Sequence, residues 1–192
     1  MPKKAKLTLV FAAVVVGGFF GIYFLGGASV PSEFLVARMQ GALIAENIVK
    51  LSSATAEDLG RIKTLDQKRD YKTAIELTTS LLQKSRGIRD EATKLSAELE
   101  KMTRALSDIN SFDARQAALE AISNHLALLS RLINYSVSLG QLMESLQARF
   151  AGTRSDMRPA QLVGDINAEV TAINSFNVQA VRAMERFDAL TK

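Results

Sequence analysis

Residues 71–109, YKTAIELTTSLLQKSRGIRDEATKLSAELEKMTRALSDI, decide how this chain folds. From Tyr71, the positions Ala74, Thr78, Leu81, Ser85, Ile88, Ala92, Leu95, Leu99, Met102, Leu106 and Ile109 follow in alternating steps of three and four. Steps of that kind put one mostly apolar stripe along a helix, and their unbroken run marks a heptad seam packed nearly parallel to its neighbours. The stretch therefore predicts a single long helix over 70–109.

The same period recurs on both sides. Downstream, one seam runs through Ala118, Ile122, His125, Leu129, Leu132, Ser136, Leu139, Met143, Leu146 and Phe150. Another runs through Val163, Ile166, Val170, Ile173, Asn177, Ala180, Met184 and Phe187. Upstream the pattern is less regular, with Ala37, Gly41, Ile44, Ile48 and Leu51 on one face and then Thr55, Leu59 and Ile62. Breaks fall at Pro31-Ser32, with Ser32 as a cap, at the polar Lys68–Asp70, at Asn110-Ser111 and at Gly152–Arg158. Pro159 suits a first helical turn. The predicted helices are 32–67, 70–109, 111–151 and 159–191. Long helices of matched length with short connections form an elongated antiparallel up-down-up-down four-helix bundle. The fold class is all-α.

Ahead of the bundle stands a different kind of segment. Lys3, Lys4 and Lys6 precede an uncharged run from Leu7 to Val30. Twenty-four helical residues at ~1.5 Å each reach about 36 Å, enough for a hydrocarbon core of roughly 30 Å. The run is predicted as a transmembrane signal-anchor, single-pass, over 7–30. The lysines hold the short basic tail 1–6 in the cytoplasm, which leaves the body 31–192 extracytoplasmic at the cell membrane. Gly26-Gly27-Ala28 offers an alternative cleavage site, although Leu7–Leu25 is longer than the apolar region of a secretory signal. Within the run, Ala13, Gly17 and Gly21 make a small-residue strip suited to transmembrane helix packing.

Composition narrows the chemistry. There is no cysteine, which excludes disulfides and thiolate-held metal centres. Of 24 lysines and arginines three lie in the tail, so the body sets 21 against 20 acidic residues and offers no electrostatic case for nucleic acid. Nucleophile-elbow, Ser-x-x-Lys, His-Glu-x-x-His and phosphate-loop motifs are absent from the sequence. The one histidine, His125, has Ile122 where a bundle di-metal site needs glutamate, and its seam position predicts a neutral, structural ring. Asp165 and Glu169 share a helix face and read as a solvated patch. The sequon Asn134-Tyr135-Ser136 falls mid-helix and reads as chance. No catalytic residue, cofactor or metal is expected.

Folding the four helices about turns near 68, 110 and 155 brings small and polar residues to one height. Ser52, Ser85, Ser136, Asn174 and Asn177 then form a polar core layer that fixes register, or a pocket for a small polar ligand. Two functions follow. The first is a non-enzymatic envelope scaffold or protein-interaction module, with the bilayer and a helical partner or a second copy as its contacts. The second is ligand sensing through a partner protein. The layout resembles the extracytoplasmic four-helix sensor domains of bacterial chemoreceptors. That resemblance implies a second span leading to a cytoplasmic output region, and this sequence has no second apolar run.

Overall fold

The computed structural model describes residues 30–153 and 158–192. Among them the chain is all helical, with no strand, and forms a helical bundle. Its elements are α1 (Ser32–Lys68), α2 (Tyr71–Arg104) with a 3₁₀ turn (Ala105–Asp108), α3 (Phe112–Phe150) and α4 (Pro159–Leu190). No helix among the described residues is long and apolar enough to cross a membrane. The expected span over 7–30, with Ala13, Gly17 and Gly21, lies outside the described residues except for Val30.

Each helix end has a local cause. Pro31, rather than Ser32, occupies the cap position of α1: its ring fixes φ at −56° with ψ at 137°, and Ser32 becomes the first helical residue. The carbonyl of Pro31 accepts the Leu35 N–H at 3.2 Å. α1 ends in a Schellman motif. Arg69 adopts the left-handed conformation (φ 61°), its N–H bonds Asp66, and the Asp70 N–H reaches back to Leu65. The end of α3 repeats this with Gly152 (φ 72°), as Gly152 bonds Arg149 and Thr153 bonds Ala148. Asp70 caps α2 by accepting the Thr73 N–H, Ser111 caps α3 through Ala114, and Pro159 opens α4.

The seams form the core. On α2 every seam position from Ala74 to Met102 is buried. Beyond Arg104 the tighter 3₁₀ turn rotates the chain, so Ala105 is buried while Leu106 is only half-buried, and α2 ends short of the predicted 109. All eight predicted seam positions of α4 are buried. α3 buries a second row beside the expected one (Ala114, Ala121, Leu128, Tyr135, Leu142) because it is flanked by α2 on one side and α4 on the other. On α1 six of the eight predicted positions, Ala37, Gly41, Ile48, Thr55, Leu59 and Ile62, are buried, and the buried face widens to one side of them. Ala42, Ala45 and Ser52 point inward, and Ile44 and Leu51 are half-buried.

Cross-helix pairs fix the directions. Thr79 with Gln147 and Ser85 with Ser136 run α2 against α3, and Asn134 with Glu169 and Glu120 with Arg186 run α3 against α4. α1 packs along α2, where Lys84 meets Asp58 at 2.5 Å. All these neighbours are antiparallel. The seam between α1 and α4 is wider, and no Cα of one lies within 8 Å of a Cα of the other. Side chains bridge it at one end, where Phe34 and Phe187 set their rings 5.1 Å apart and Arg38 pairs with Asp188. At the opposite end Tyr71 stacks on Phe150.

Candidate functional site

The polar layer is built around Ser85 and Ser136. The Ser85 hydroxyl donates to the Ser136 carbonyl at 2.7 Å, and the Ser136 hydroxyl donates to the Ser85 carbonyl at 2.6 Å. Their oxygens stand 3.1 Å apart. Each hydroxyl has one proton, and each proton is spent on the opposite backbone. The pair is therefore a reciprocal link between two helices that approach closely, and it directs no donor toward a ligand. Glycines lie next to this approach. A Cβ at Gly140 would meet the Ser85 hydroxyl at 3.9 Å, and one at Gly87 would meet Leu51 at 3.5 Å.

On α1, Ser52 and Thr55 lie within about a turn of Ser85, as Lys84 with Asp58 and Gly87 against Leu51 establish. Both side chains are buried, and neither hydroxyl has a hydrogen-bond partner. α4 departs from the expected level. The pairs Asn134–Glu169 and Glu120–Arg186 set Ser136 opposite residues 167–170 and Asn177 opposite 126–129. Asn177 is buried, but it belongs to the height of His125, roughly 10–15 Å along the bundle from Ser136. Asn174 is half-buried one turn nearer. The cause is the reversal after α3. It pivots near the left-handed Gly152 rather than near 155, and this slides α4 past the level assumed from the sequence. Ser52, Ser85 and Ser136 come together; Asn174 and Asn177 stand apart.

His125 sits against its own helix, with Nδ1 at 2.8 Å from the Ala121 carbonyl. A carbonyl only accepts, so Nδ1 carries the proton. Burial pushes the ring down to about 4, with the Ala121 bond opposing this and the charge of Arg38 assisting. Tyr135, buried beside the serine pair in sequence, is pushed up to about 12 by burial. In the sequon, Ser136 is buried and hydrogen-bonded. Glu169 is less solvated than expected, since Oε1 faces Asn134 and Arg131 and Oε2 is buried without a hydrogen bond.

Arg38 and Asp188 form an ion pair that was not expected from the sequence. Nη1 and Nη2 of Arg38 donate to the two carboxylate oxygens at 2.6 and 2.8 Å, a bidentate fork beside the Phe34–Phe187 contact. The available signal was Arg38's place next to Ala37 on the buried stripe. Among the described residues no group of three or more His, Cys, Asp or Glu side chains could hold a metal ion. An open surface depression between Glu120, Arg182, Glu185 and Arg186 is shallow and mixed in charge. The outer surface also carries apolar side chains, among them Leu35, Val36, Met39 and Leu43 at the start of α1. No protein-family model, curated protein or solved structure matches the chain.

Proposed function

We propose that the chain is a single-pass membrane protein of the cell envelope. Residues 1–6 are cytoplasmic, 7–30 cross the bilayer, and an up-down-up-down four-helix bundle over 31–192 stands outside as a scaffold or protein-interaction module, with no catalysed reaction. One observation carries this reading: an uncharged run of 24 residues behind three lysines leads through Pro31 straight into a long helix. The exposed apolar side chains of Leu35, Val36, Met39 and Leu43 support it, because they cluster where that helix would leave the membrane. Crosslinking in native membranes followed by purification tests it. A stable protein partner, or a second copy, held by a chain that resists alkaline extraction is expected. Release of the chain by alkaline washing, with no protein attached, would contradict it.

A second reading, ligand sensing by the bundle, draws on the buried, unpartnered hydroxyls of Ser52 and Thr55. It requires a small molecule that purifies with the protein and is lost in Thr55→Val.

A further inference from the structure

We infer that the outer face of α3 is a self-association seam, along which two copies anchored in one membrane pair in parallel; this rests on the membrane reading above. Phe112, Leu119, Leu126 and Ile133 lie at strict seven-residue spacing and are 68, 49, 45 and 38 % exposed. Between them on the same strip fall Gln116, Ser123, Ser130 and Val137, all exposed. A heptad stripe that stays in phase over three repeats matches the seam of a two-stranded coil and calls for a helical partner. Nothing within the described residues covers it.

Three features favour a second copy as that partner. First, a parallel two-fold pair sets each residue against itself, which a charged strip cannot tolerate. These eight positions carry no charge in a chain that is 23 % charged. Second, the strip begins at Phe112, just after the 3₁₀ turn that packs against α1. It therefore starts at the end of the bundle to which the proposed anchor leads, and two copies in one bilayer meet in parallel. Third, its size suits an anchored pair. About 30 Å of one helix width buries on the order of 600 Å² in total, short of the ~1,200 Å² of stable complexes in solution. Confinement in one membrane supplies the missing effective concentration.

The chain has no cysteine, so single introduced cysteines report cleanly. Full-length Leu126→Cys and Leu119→Cys, oxidised mildly in native membranes, should each yield a disulfide-linked dimer. A two-fold parallel seam holds like positions within the ~4.4–6.8 Å between Cα atoms that a disulfide needs. Thr171→Cys, exposed on α4, is the control and should give about ten-fold less. Leu126→Cys is a mild change at an exposed site, so loss of fold does not confound it. Equal, low crosslinking at all three sites in a membrane-retained chain would overturn the seam and leave the anchor standing. So would a linked product of the mass of a different protein. Linkage of Leu126→Cys only to Ser123→Cys would show an antiparallel pair and overturn the parallel arrangement. Release of the chain by alkaline washing would overturn the membrane reading itself.

Discussion

At the residue scale, the two most informative side chains are polar ones inside the core. Ser85 and Ser136 each bond a carbonyl that already takes part in its own helix, so alanine at either site leaves no buried group unsatisfied. Ser85→Ala and Ser136→Ala should each cost about 0.5–1.5 kcal/mol in denaturant unfolding. Because neither bond needs the other hydroxyl, their coupling in a double-mutant cycle should stay below about 0.5 kcal/mol. Coupling above 1 kcal/mol would mean that the contact between the two hydroxyls carries the energy. His125 makes a pH-dependent prediction. Its folded pKa, about 4, lies below the ordinary 6.5, so between those values the unfolded chain binds the extra proton. Its contribution is complete above about pH 6.5, declines as pH falls toward 4, and amounts to about 3 kcal/mol lost in all. Urea titrations across that window should show this slope in the native chain and not in His125→Gln. Equal slopes in both would remove the buried neutral ring from the account.

At the scale of elements, the two Schellman motifs offer a matched comparison. Gly152 holds its positive φ without steric cost, whereas Arg69 holds φ 61° with a Cβ. Arg69→Gly should therefore be neutral to stabilising by up to about 1 kcal/mol, and Gly152→Ala destabilising by about 1 kcal/mol. Thermal melts of both variants check the pair, and a stabilised Gly152→Ala would contradict the assigned turn. Elements are also where the sequence was most legible. The stripe from Ala74 to Met102 and that from Val163 to Phe187 could be read directly, because apolar and small residues recur there without a skip. α1 was harder, since alanine, glycine and serine are compatible with either side of a helix. Six of its eight predicted positions are buried, and only Ile44 and Leu51 give way to their small neighbours Ala45 and Ser52. Asn177 was misplaced in height because the pivot after α3 depends on one left-handed residue, Gly152. The Arg38–Asp188 fork joins residues 150 apart, and no local pattern announces such a pair.

At the scale of the molecule, the bundle has two distinguishable ends. One carries the start of α1, the 3₁₀ turn and the end of α4, clamped by Arg38–Asp188 and Phe34–Phe187. The other carries the two Schellman turns and the Tyr71–Phe150 stack. The proposed anchor enters at the clamped end, so the wide α1–α4 seam is closed nearest the membrane. If the bundle is anchored as proposed, a topology reporter fused after Lys192 reads which side of the membrane it occupies. The expected result is a reporter active only outside the cytoplasm, on a mature protein that retains Lys3, Lys4 and Lys6. A reporter active inside the cell, or a freely released product beginning near Ser29, would contradict it.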